Sequence, residues 1–223
     1  MKVKKQIVSL LVAIAVLSTM CIPSFAICVS QESIVTNNVV RNIENSISNT
    51  TAVLSNGEEI LELYPIRVET LKTGNGSYAT ESEYTLELRD GSGSLSEDDT
   101  DMVSTATVVV TIYFDTMTMW NVDYLKLTRF SVDITWNDPH IVLNGLSCLY
   151  VSTGIEPYGD VIINEQTKEH EFTIGGHQYV LNTGFTHFTA PEEAYFSLGC
   201  TATATFQRGE ASFWDFSVQC NYK

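Results

Sequence analysis

The sequence predicts an all-β fold, an antiparallel β-sandwich, with closure into a barrel as the second architecture. Three observations carry that expectation. Apolar residues recur at every second position through several segments. Gly, Asn and Pro turn signals return about every 8–12 residues. Helical periodicity is weak beyond residue 50.

The chain opens on a different pattern. Lys2, Lys4 and Lys5 precede an apolar run from Ile7 to Leu17, interrupted only by Ser9, and Ser24-Phe25-Ala26 follows Pro23. A basic start, a short apolar core and a small-x-small triplet are the parts of a secretory signal, with cleavage expected after Ala26. The apolar run is too short for a bilayer span, which takes about 20 residues. The expected compartment is therefore extracellular.

Removing 26 of the 223 residues leaves 197, enough for one domain with a substantial core. The leader holds three of the twelve Lys and Arg and none of the 27 acids, so the remainder carries a net charge of −18. That charge repels phosphate backbones, which excludes nucleic acid as a partner class.

Residues 27–50 are polar and rich in Asn, with Ile34, Val39, Val40, Ile43 and Ile47 near helical spacing. They read as a polar leader with a short amphipathic helix or as a flexible segment, ahead of a single domain over 51–223. Within that domain, 51–55 and 58–66 flank Asn56-Gly57, a pair suited to a two-residue type I′ hairpin turn. Gly74-Asn75-Gly76 marks the next reversal, before a strand over 84–89.

The segment Thr105 to Phe114 alternates most cleanly. Ala106, Val108, Val110, Ile112 and Phe114 share one face, against three threonines, Tyr113 and Val109. From Leu125 to Trp136 the phase slips: Leu125 and Leu127 are odd, whereas Phe130, Val132, Ile134 and Trp136 are even. A β-bulge near Thr128-Arg129 restores one apolar face. Asn137-Asp138-Pro139 then breaks the chain before a strand over 141–152.

Short strands follow at 161–164, 171–174 and 178–181, with Gly175-Gly176 read as a hairpin turn between the last two. At the C-terminal end Cys200, Ala202, Ala204 and Phe206 face Trp214, Phe216, Val218 and Cys220 around a turn near Glu210.

Cys28, Cys148, Cys200 and Cys220 remain after the signal, an even number suited to disulfides in an oxidising compartment. Three connectivities exist. The hairpin favours Cys200–Cys220, which leaves Cys28–Cys148.

Chemistry-bearing patterns are sparse. The loop from Asp90 to Asp101 offers Asp90, Glu97, Asp98, Asp99 and Asp101 as oxygen ligands for calcium. It lacks the glycine and flanking helices of a helix–loop–helix calcium site, so a solvated charged loop is the plainer reading. His170 and His177 flank Gly175-Gly176 and would approach one another across a hairpin, without the convergent ligand set that zinc needs. No nucleophile elbow is present.

Among the aromatic residues, Trp136 and Trp214 share faces with aliphatic side chains and are expected in the core. Trp120, beside Met117, Met119 and Asn121, and Tyr158, in the loop after residue 154, are the expected ligand-contacting residues. The functional expectation is a secreted, non-enzymatic interaction module that binds a glycan, a cell-envelope component or a protein through its loops. A hydrolase with acidic catalytic residues and an exported toxin or pore-former are the alternatives.

Overall fold

A computed structural model describes residues 38–88, 104–157, 163–190, 196–209 and 212–222. The chain divides into units Met1–Val39 and Val40–Lys223, and the architecture below is that of the second. Tyr158, the acidic residues Asp90, Glu97, Asp98, Asp99 and Asp101, and Cys28 lie outside the described residues.

One helix, α1 over 38–48, precedes the strands. These are β1 (Ala52–Ser55), β2 (Ile60–Leu63), β3 (Arg67–Gly74), β4 (Ser77–Leu88), β5 (Ser104–Met119) and β6 (Val122–Trp136). There follow β7 (Ile141–Ile155), β8 (Ile163–Glu171), β9 (Gln178–Asn182), β10 (Ser197–Arg208) and β11 (Ser212–Tyr222). They form a six-stranded sheet, β2-β1-β11-β10-β7-β8, and a five-stranded sheet, β3-β4-β5-β6-β9. Every named pairing is antiparallel and neither sheet closes on itself, so the architecture is the open sandwich.

The alternation seen in the sequence sets which face is buried. Ala106, Val108, Val110, Ile112 and Phe114 are inward on β5, and Phe206, Trp214 and Phe216 answer from the other sheet. Tyr84 meets Phe216 edge-on at 5.7 Å, and Phe130 meets Tyr150 at 5.3 Å, so aromatic pairs cross the gap between the sheets. The bulge lies where the phase slip requires it. Tyr113 pairs with Arg129 and Phe114 with Leu127, which leaves Thr128 as the extra residue. The Thr128 hydroxyl donates to the Tyr113 carbonyl at 3.1 Å, and its carbonyl accepts from Thr183 N–H.

Helix α1 buries Ile43 and Ile47 completely, and Glu44 Oε1 accepts the Thr70 N–H of β3 at 2.7 Å. The isoleucines four residues apart lie on one helical face, which is the face turned inward. Among the described residues no helix is long and apolar enough to cross a membrane.

Five local expectations are corrected. Asn56 and Gly57 do not form a two-residue turn: Ser55 pairs with Ile60 around a four-residue loop. Asn56 Oδ1 accepts the N–H groups of Glu58 and Glu59, and this side-chain capping stabilises the longer loop. The following strand runs over Ile60–Leu63 only. Gly175-Gly176 does not close a hairpin, because β8 pairs with β7 in one sheet and β9 with β6 in the other. The glycines lie in a crossing between sheets, and the strand before it is a single β8. Trp136 is half-buried rather than in the core, with its ring 4.7 Å from that of His177.

Candidate functional site

The β5–β6 hairpin reaches past its neighbours. On one flank β4 begins at Ser77, opposite Asp115; on the other, β9 stops at Asn182, opposite Arg129. A strap bonds Thr189 to Leu125 in both directions at 2.8 Å, then Ala190 to Ile155 at 2.7 Å, and so ties the two sheets together at that end. Beyond it, among the described residues, 117–124 pair in a ladder only with each other.

Met119 pairs with Val122 across a two-residue turn made by Trp120 and Asn121. Both turn residues have positive φ, 52° and 62°, the signature of a type I′ turn. Asn accepts that conformation readily; a bulky residue does not. Trp120 is nevertheless there, with 73% of its surface exposed. Beneath it the Thr118 hydroxyl donates to Asp123 Oδ1 at 2.6 Å across the hairpin. Asp123 is buried, and its second carboxylate oxygen has no hydrogen-bond partner among the described residues. A buried acceptor left in that condition costs about 1–3 kcal/mol unless a donor reaches it.

The tip therefore presents a large aromatic face beside an amide and a hydroxyl. That combination suits a ligand with an apolar face and several hydroxyls. Trp120 was legible in the sequence from its neighbours; Asp123 was not, because its burial comes from packing at the end of the sandwich.

A second candidate site was also not legible. A groove of about 350 Å³ opens on the outer face of the six-stranded sheet, lined by Asn144, Ser147, Glu171, Phe172, Thr203 and Thr205. Gly145, opposite Thr205, contributes no side chain to its floor, and the strand register shifts beside it between Thr205 and Phe206.

The histidines do not converge. His177 Nδ1 lies 3.0 Å from the Ile134 carbonyl in one sheet, while the His170 ring packs edge-on against Phe172 at 4.7 Å. Among the described residues no group of three His, Cys, Asp or Glu is placed to hold a metal ion. Ser104, Asp138 and His140 do meet, but in an order unsuited to nucleophilic catalysis. Both Ser104 Oγ and His140 Nδ1 bond Asp138, so the hydroxyl faces a carboxylate rather than an imidazole base.

Carboxylates also gather around Arg67, which contacts Glu69, Glu81 and Glu83 at 3.2–3.3 Å on an exposed sheet face. All three carboxylates are thus engaged in ion pairs with one guanidinium.

Cys148, Cys200 and Cys220 are buried free thiols in the structure, and Cys200 lies directly opposite Cys220. The pairing of Cys28 falls outside the described residues.

The comparisons with known proteins add no family. No protein-family model matches the chain, and neither a curated protein nor a solved structure is significantly similar to it.

Proposed function

We propose that the chain is an exported, non-enzymatic binding module that engages a glycan at the tip of the β5–β6 hairpin. One observation carries this reading: an exposed Trp120 held at φ 52° on an overreaching hairpin. Backbone strain of this kind costs on the order of 1–3 kcal/mol, and such outliers cluster at functional sites. Glycine would relieve the strain at this position. The neighbouring Asn121, which is exposed, supplies a hydrogen-bonding amide next to Trp120 in the turn. The net negative charge favours neutral or cationic glycans over anionic ones. Export rests on the basic and apolar pattern of the first 26 residues.

The test is intrinsic fluorescence titration with soluble polysaccharides and cell-wall fragments, with reducing ends assayed in parallel. A saturable shift that Trp120→Gly abolishes, without release of sugar, is the expected result. Release of reducing ends would replace the binding reading with a hydrolase. Binding undiminished in Trp120→Gly would remove the tip as the site and point to the groove beside Thr203. A flat response to every glycan would overturn the glycan assignment in favour of a protein ligand.

A further inference from the structure

Cys148, Cys200 and Cys220 occupy three consecutive strands of the six-stranded sheet, β7, β10 and β11, and all three are inward and almost wholly buried. The register separates them sharply. Cys200 pairs with Cys220, whereas Cys148 pairs with Ala202 and Cys200 with Tyr150.

Directly opposed residues of an antiparallel pair have Cα atoms about 4.5–5.5 Å apart. That lies inside the window of about 4.4–6.8 Å that a disulfide spans. Cys148 is diagonal to Cys200, at about 7–8 Å for such neighbours. It is two strands and two residues along from Cys220, since Ala202 pairs with Val218, and the lateral spacing of two strands alone is roughly 9–10 Å. Both distances exceed what a disulfide bridges without backbone movement.

Two further features lie at the Cys200–Cys220 pair. Gly199 lets the strands approach so closely that a Cβ there would lie 2.1 Å from the Cys220 carbonyl oxygen. From the opposite sheet, Ser82 Oγ lies 3.2 Å from Cys220 Sγ.

We propose that Cys200 and Cys220 close a cross-strand disulfide between β10 and β11, and that Cys148 is excluded from bonding to either. The oxidant is a low-molecular-weight or protein disulfide. One thiolate attacks it to give a mixed disulfide and releases one thiol. The second thiolate then displaces the other thiol, so two cysteines lose two protons and two electrons and the oxidant becomes two thiols.

Burial decides when this happens. Desolvation pushes the Cys148 thiol up to about 12 and the Cys220 thiol up to about 11, and it raises Cys200 well above its ordinary value. Since the thiolate is the nucleophile, the folded core is nearly inert, and the bond forms while β10 and β11 are still open to solvent.

The chain, denatured and reduced, is refolded with reduced and oxidised glutathione, quenched with iodoacetamide and digested with trypsin without reduction. Cleavage after Arg208 separates the two cysteines, so the bond appears as a linked peptide pair. That pair is expected in the wild type and, undiminished, in Cys148→Ala. Reduction should lower the wild-type Tm by about 7–13 °C, as follows from closing a loop of roughly 20 residues. Linkage of Cys148 to Cys200 or Cys220, linkage of either to Cys28, or three core thiols that remain unbonded after refolding with the oxidant would each overturn the assignment.

Discussion

Arg208 of β10 donates from Nε to Asp138 Oδ2 at 3.3 Å, beside the β6–β7 turn. Ser104, at the start of β5 in the other sheet, gives its hydroxyl to the same oxygen, and His140 N–H bonds the second oxygen at 2.9 Å. Arg208 also reaches the Leu88 carbonyl at the end of β4. One carboxylate thus ties the two sheets at the end opposite Trp120.

This arrangement sets a pH dependence. The Ser104 hydroxyl, followed by the His140 backbone N–H, holds the Asp138 carboxyl well below the usual carboxylate range. A carboxyl whose folded pKa is depressed stabilises the fold fully above its unfolded value of about 3.9, and it loses that contribution as pH falls from there through its folded value. Asp138→Asn should therefore be less stable than wild type by about 1–3 kcal/mol at pH 7. In urea unfolding, the gap between the two should narrow from pH 5 towards pH 3. A gap that stays constant over that range would remove Asp138 as its source.

Helix α1 contributes to the core despite its polar surroundings. Ile43→Ala should cost about 2–4 kcal/mol in urea unfolding, the range for truncating a fully buried isoleucine. A change below about 0.5 kcal/mol, typical of surface sites, would show that the helix does not pack in solution.

Gly154 and Gly176 should respond oppositely to alanine. A Cβ on Gly154, at φ +153°, would lie 2.6 Å from the Ala190 carbonyl oxygen, within the strap that joins the sheets. Around Gly176 nothing lies within 4 Å and φ is not in the left-handed region. Gly154→Ala should lower stability by more than about 2 kcal/mol and Gly176→Ala by less than about 0.5 kcal/mol. Thermal denaturation of the two variants side by side checks the contrast.

Trp120 should be a cost to stability. Trp120→Gly removes a strained side chain from the turn and is expected to hold or raise stability by up to about 1 kcal/mol. Acrylamide should quench the wild-type emission in two components, of which the accessible one disappears in Trp120→Gly while buried Trp214 persists. A variant markedly less stable than wild type would show that the indole serves the fold.

The strands that alternate most clearly, Thr105 to Phe114 and Cys200 to Phe206, could be read in advance with their buried faces. So could the bulge at Thr128, because a phase slip is written in consecutive residues. Pairings between distant segments could not. Gly175-Gly176 carries the same local signal whether it turns a hairpin or crosses between sheets, and only the competing partners β7 and β6 decide. The type I′ geometry expected at Asn56-Gly57 occurs instead at Trp120-Asn121, where β5 and β6 run in register to Met119 and Val122 and leave two residues to reverse the chain.

The candidate site divides in the same way. Trp120 stood out because an aromatic residue beside Asn and Met at a strand boundary is a local pattern. The buried Asp123, the groove beside Thr203 and the Asp138 tie were silent, since each arises from side chains brought together from different strands. By itself the sequence determined the β class, the faces of its long strands and the alignment of Cys200 with Cys220, all properties of a two-residue period and short connections. The tertiary structure alone decided that α1 enters the core, that β8 and β9 part to different sheets and that Cys148 stands out of reach of its two neighbours. Those outcomes depend on packing and register between segments far apart in the chain, and local periodicity does not encode them.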